Sequence, residues 1–120
     1  MLFRSLAELA LAGGREDPLD HRRLRITLGV AGVPAWAEDG WKGRTMRVGA
    51  ASIRPVGDVG RCAMTTQDPD TGEPDFDTLR HLAALRAGYT GSERLPCGVY
   101  ARVVTPGRVH VGDPVEVAPA

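Results

Sequence analysis

Glycine and proline interrupt this chain so often that few long elements fit. Fifteen glycines and nine prolines are spread over 120 residues. From Gly29 to Pro74 the breaks come every few residues, which leaves room for short strands and tight turns. Such a pattern favours a small barrel or sandwich over a layered α/β sheet. Two stretches escape it and read as helices. In Met1–Gly14, Ser5-Leu6-Ala7-Glu8 fits a capping box, Leu6, Leu9 and Ala10 share one face, and Gly13-Gly14 ends the run. In Asp77–Ala87, Asp77 can act as N-cap, Leu79, Leu82 and Leu85 form a stripe, and Gly88 stops it.

The strands follow from period-two alternation. His21–Val30 carries Leu24, Ile26, Leu28 and Val30 at even positions with Arg23, Arg25 and Thr27 between them. This predicts a half-buried strand whose polar face gathers guanidinium groups. That face is either simply solvated or an anion site, because planar guanidinium forks grip phosphate bidentately. Residues 45–49 and 52–56 predict two strands around a tight turn, with Pro55 demoting the second to an edge or a strand end. Residues 98–104 predict another, and 107–117 two more around a Gly-Asp-Pro corner. The sum is about six or seven short strands and two short helices, a mainly β chain. The Gly29–Gly43 stretch reads as a loop pinned by Trp36 and Trp41, with Glu38-Asp39 solvated at its tip. His81 has no Cys or His at metal-ligand spacing and reads as a solvated or capping histidine.

One domain over residues 1–120 accommodates this length. Fifteen basic residues balance fifteen acidic ones, which argues against a general nucleic-acid binder. The apolar start is too short to span a bilayer and holds Arg4 and Glu8. Two cysteines without a secretory signal suit a reducing cytoplasm better than a disulfide scaffold. No phosphate-binding glycine loop, His-Glu-x-x-His or Gly-x-Ser-x-Gly occurs.

Chemistry concentrates in Arg61–Gly72. Asp68-Pro69-Asp70-Thr71-Gly72 is a turn signal in which proline fixes φ, aspartates satisfy local N–H groups and glycine supplies positive φ. Cys62 should therefore lie near the end of a short strand, shortly before a rigid loop. A lone cysteine in an apolar run is more often a small buried hydrophobe. The cationic neighbour Arg61 gives the other reading, since it favours thiolate, the form that binds metals or attacks electrophiles.

These residues resemble the MOSC domain, the module found at the C-terminus of molybdenum-cofactor sulfurase and in the mitochondrial amidoxime-reducing component. The resemblance runs through the Ser5-Leu6 helix, Ala37-Glu38-Asp39-Gly40-Trp41, Arg61-Cys62, Thr65–Glu73, the Leu79…Leu82…Arg86 helix and Val111-Gly112-Asp113-Pro114-Val115. It implies a small β-barrel with two short helices, incomplete here because the family's strands and Asp-x-Ser segment before the Ser-Leu helix have no counterpart. It also implies binding of the molybdenum cofactor, molybdopterin, with Cys62 in the place of the cysteine that ligates molybdenum. A soft thiolate suits a metal already held by sulfur. The family's Arg-Pro-Asn pterin contact matches Arg25-Ile26-Thr27, where a hydroxyl replaces the amide. Cys97-Gly98 stands where the family has Phe-Gly.

On this reading Cys62 ligates the metal, Arg61 tunes it, and Arg25, Arg23 and Thr27 hold the cofactor. The reaction is reduction of an N-hydroxylated or similar small substrate, fed by an electron-transfer partner protein. Missing barrel strands leave an open sheet edge, which invites a homo-oligomer. Two other readings remain: a persulfide module that delivers sulfur from Cys62, and a cofactor-free remnant acting through its open edge.

Overall fold

The computed structural model describes residues 3–91 and 93–119. Its sheet has four antiparallel strands: β1 (Met46–Val48), β2 (Ala51–Gly60), β3 (Pro96–Thr105) and β4 (Val115–Val117). They lie in the order β3-β2-β1-β4. Two helices, α1 (Phe3–Ala12) and α2 (Thr78–Leu85), pack on each other. The chain is mainly β with two short helices, as expected, but the sheet stays open. β3 and β4 form its two edges and do not meet, so no barrel closes. Four strands, two of them only three residues long, cannot supply the tilt and stagger that closure needs.

The core forms where the helices meet the first half of β3. Leu6, Leu9, Ala10, Leu19, Leu24, Phe76, Leu82 and Cys97 are buried together. The α1 face is the expected one, but its capping box is not made. Ser5 is buried inside the first turn, and its hydroxyl accepts the Trp36 N–H at 2.9 Å. The helix thus spends the residue that would have capped it on tying down the tryptophan loop. At the other end Arg15 N–H reaches the Ala10 carbonyl at 2.9 Å, and Gly14 takes φ +78°. Only glycine adopts that conformation without strain. Space around it is open, so Gly14→Ala should cost stability through backbone strain alone, about 1 kcal/mol by denaturant titration. A variant as stable as the parent would show that this helix end relaxes freely.

Of the α2 leucine stripe Leu82 alone is fully buried, while Leu85 at its far end is exposed. Asp77 sits at the N-cap position without a side-chain cap bond, and Gly88 ends the turn at φ +85°. His81 lies against the Phe76 ring, with centroids 5.3 Å apart.

Two strand expectations fail for identifiable reasons. His21–Leu24 is a 3-10 turn capped by Asp20, whose carboxylate accepts the Arg22 N–H at 2.9 Å. Arg25 then turns left-handed at φ 50°, which ends any alternation. Side-chain capping by aspartate competes with the extended state, and the period-two pattern carries no trace of it. The cysteine segment is also not a strand, because Ala63–Thr66 is another 3-10 turn, which begins one residue after Cys62.

Pro55 lies inside β2, not at its end. The edge rule nevertheless holds locally. β1 pairs with β2 only as far as Ile53, and the β3 pairing shifts register between Pro55 and Gly57. The Pro55 carbonyl accepts the Gly43 N–H at 2.8 Å. Of the two strands expected over 107–117, only β4 forms. The stretch before it instead folds over the β1–β2 turn, where Ala50 N–H meets the Arg108 carbonyl at 3.1 Å. Gly107 is needed there, because a Cβ would strike the Ala50 backbone.

Candidate functional site

Cys62 stands two residues beyond β2, at the N-cap of the Ala63–Thr66 turn, and it is exposed. Of the two readings for this thiol, the buried hydrophobe is therefore excluded. Its carbonyl is held by the Thr65 N–H at 3.1 Å and the Thr65 hydroxyl at 2.9 Å. Thr78 in turn donates to the Thr65 carbonyl at 2.8 Å and links the turn to α2. The cysteine therefore rides on a short, fully bonded turn and not on a mobile tip.

The rigid loop expected after it is present. Asp68 accepts the N–H groups of Asp70 and Thr71 at 2.8 and 3.1 Å, which holds its carboxyl below the ordinary aspartate range. Gly72 takes φ +76°.

Arg61 defines the electrostatics. Its Nε donates to the Cys97 carbonyl at 2.8 Å and its Nη1 to the Leu24 carbonyl at 2.7 Å. Among the described residues it meets no carboxylate at ion-pair distance. A guanidinium held by neutral carbonyls keeps its full positive charge. Burial pulls its pKa down, while the Coulomb interaction with both thiols pushes the other way. This cation sits beside Cys62 in sequence and beside Cys97 in space. Cys97 is inert by contrast: it is 1% exposed, and burial pushes its thiol up to about 12.

Gly60, Arg61, Cys62, Glu93, Arg94 and Leu95 line one hollow of ≈ 340 Å³. The chain is anchored at Leu95 and at Tyr89, on either side of the lining residues Glu93 and Arg94. Arg61 N–H donates to the Leu95 carbonyl at 3.0 Å. At the other end Tyr89 O–H donates to Asp58 at 2.8 Å, and Lys42 Nζ lies 2.6 Å from both. A larger hollow of ≈ 520 Å³ lies between residues 15–20 and 68–70. Its lining is dominated by carboxylates, and its Arg23 is already ion-paired, so it suits an anion poorly.

The arginines expected to grip a cofactor separate into two groups. Arg23 is buried; Nη2 lies 2.7 Å from Asp75 and Nη1 donates to the Gln67 carbonyl at 3.1 Å. It locks two loops together and offers no free fork. Arg25 and Thr27 are exposed, and the Leu24 carbonyl held by Arg61 brings their segment next to the Cys62 strand end.

Glu38, expected at a solvated loop tip, is completely buried, and neither oxygen has a hydrogen-bond partner among the described residues. Burial raises its pKa above the ordinary value. Asp39 bonds Arg86 at 2.7 Å, and the Arg86 guanidinium is stacked between the Trp36 and Tyr89 rings, 4.5 and 4.3 Å from their centroids. Glu93 and Arg94 escaped the sequence reading because neither periodicity nor motif marks them. Gly60, small enough for another chain segment to lie against, was the available signal.

The site is thus an exposed cysteine next to a guanidinium that meets no carboxylate among the described residues, on a mainly β chain. A model of the MOSC domain matches residues 3–116, and the chain belongs to that family. Among curated proteins it is similar to mitochondrial amidoxime-reducing component 1 of Xenopus laevis, 33% identical over 96% of this chain and 35% of the relative. The Homo sapiens component 1 is 31% identical over 95% of this chain and 35% of its own length. The Homo sapiens component 2 is 31% identical over 83% and 31%. The chain thus spans about a third of the length of these relatives.

Proposed function

We propose that this chain is a molybdenum-cofactor-binding domain of an oxidoreductase that reduces N-hydroxylated or similar small substrates. The observation that carries the reading is the exposed Cys62 thiol at the rim of a hollow that also holds the unneutralised Arg61 guanidinium. A solvent-facing sulfur beside a fixed positive charge is what a thiolate ligand to a soft metal requires. The names of its amidoxime-reducing relatives supply the substrate class.

In this reading Cys62 is the protein ligand of molybdenum. The cofactor would supply the two-electron redox chemistry, and the chain supplies orientation and electrostatics. Arg61 sets a positive charge beside the site and favours anionic groups nearby. Arg25 and Thr27 reach the cofactor's polar groups from the adjoining segment. Arg23 acts indirectly, by fixing the 3-10 turn that carries Arg25. An electron-transfer partner protein would supply the electrons, and the open sheet edge is where a second copy of the chain would pair.

Molybdenum analysis after expression in a host that makes molybdopterin tests this. Cys62→Ser should lose molybdenum while keeping the thermal midpoint of the cofactor-free parent, and Cys97→Ser should keep the metal. Mutant and parent with equal metal content would refute the ligand role. A cyanide-labile sulfur on Cys62 without bound pterin would favour sulfur delivery instead.

A further inference from the structure

Glu93 has no assigned role, yet the structure gives it a specific place. Its side chain crosses the face of Gly60: a Cβ at that position would lie 2.6 Å from Glu93 Oε2 and 3.0 Å from Cδ. Gly60 has no left-handed φ that would demand glycine, so the missing side chain serves to admit the carboxylate. Two residues further on is Cys62. The loop that delivers Glu93 is pinned at one end by Lys42, Asp58 and Tyr89 and at the other by the Arg61–Leu95 backbone bond. Gly91 is packed against Tyr89 and Asp58, where a Cβ would clash with both. Among the described residues no cation lies at ion-pair distance from Glu93. An exposed carboxylate thus lies over Gly60 at the rim of the Cys62 hollow, with no cation among the described residues to neutralise it.

We propose that Glu93 is the substrate-recognition carboxylate of this hollow, reading the paired N–H donors of an amidine-type group. A carboxylate accepts two parallel N–H bonds from an amidinium as it does from a guanidinium, with both charge and geometry matched. A neutral amide presents one NH2 and one carbonyl oxygen, and that oxygen would face the carboxylate repulsively. In the N-hydroxylated form only the amino nitrogen still donates to the carboxylate, and Arg61 and Arg94 on the same lining complement the oxygen. The site thus discriminates by charge pattern, with an anion for the nitrogen side and cations for the oxygen side. The substrate side of this inference rests on the oxidoreductase reading, but recognition itself needs no redox step.

The test uses the purified chain without cofactor and reads the rate at which iodoacetamide alkylates Cys62, followed by mass spectrometry. Cys97 is buried, so labelling reports one site. Benzamidine should slow alkylation saturably in the parent, whereas benzamide, its neutral counterpart, should leave the rate unchanged. Glu93→Gln should weaken the benzamidine effect about tenfold. Gly60→Ala should do the same with the glutamate still in the chain, because the added methyl displaces only the end of a flexible side chain. Equal protection of the parent and Glu93→Gln, or protection by benzamide as strong as by benzamidine, would overturn the proposal. The outcome is separable from the cofactor reading. Molybdenum retention without benzamidine protection removes only the Glu93 role, and protection without molybdenum retention removes only the cofactor role.

Discussion

Lys42→Met should destabilise the chain by about 2–4 kcal/mol, lowering the thermal midpoint by roughly 10 °C. Lys42 Nζ lies 2.6 Å from Asp58 Oδ1, and the Asp58 side chain has no exposed surface. Removing one partner of a buried ion pair is far costlier than the pair is worth, because the remaining charge stays desolvated. The lower end of the range reflects the partial exposure of Lys42, whose side chain keeps 28% of its surface in water. Asp58→Asn in the Lys42→Met background should recover part of the loss by discharging the carboxylate. Loss below 1 kcal/mol, or no recovery in the double variant, would show that the cation is dispensable. Because Tyr89 shares this network, Lys42→Met should also loosen the 89–95 loop and alter the Cys62 alkylation rate.

Glu38→Met should act in the opposite direction, stabilising by about 1–3 kcal/mol at neutral pH. Both Glu38 oxygens are buried without a partner among the described residues, so an apolar side chain of similar length removes an unmatched polar group. The pH dependence follows from linkage. Burial raises the folded-state pKa of Glu38, so the folded chain holds that proton to higher pH than the unfolded chain does. The contribution is fully present below the ordinary carboxyl range and is lost as pH rises through the folded value. Denaturant midpoints for parent and variant should therefore converge in acid and separate as pH rises. A constant difference across the range would show that Glu38 is not the titrating group.

Much of the frame was legible because it depends on local rules. The α1 face of Leu6, Leu9 and Ala10, the Asp68–Gly72 loop and the helix stop at Gly88 need only periodicity and turn chemistry. The β1–β2 turn follows from the same rules. What was not legible depends on long-range partners. Asp20 captures the Arg22 N–H and converts an alternating stretch into a 3-10 turn. Ser5 leaves its capping role to hold Trp36, a partner 31 residues away. Glu38 is buried by packing that composition cannot reveal, since an acidic pair between tryptophans ordinarily faces water. At the site, the motif brought Arg61 and Cys62 forward, and the structure places both on the lining of one hollow. Whether Arg23 had a free guanidinium depended on Asp75 and Gln67, and Glu93 depended on the emptiness of Gly60.

The two halves of β3 live in different solvents. Pro96, Cys97 and Gly98 are sealed in the core, whereas Tyr100 to Thr105 are in water, with Tyr100 at 57%, Val103 at 67% and Val104 at 52% exposure. The exposed half of β3 should exchange its amides with deuterium through local fraying. Those near Cys97 should exchange only when the whole domain opens. The hollow is built on the protected half. Thermal motion in that half of β3 can therefore be large while the backbone from Gly60 to Cys62 keeps its place.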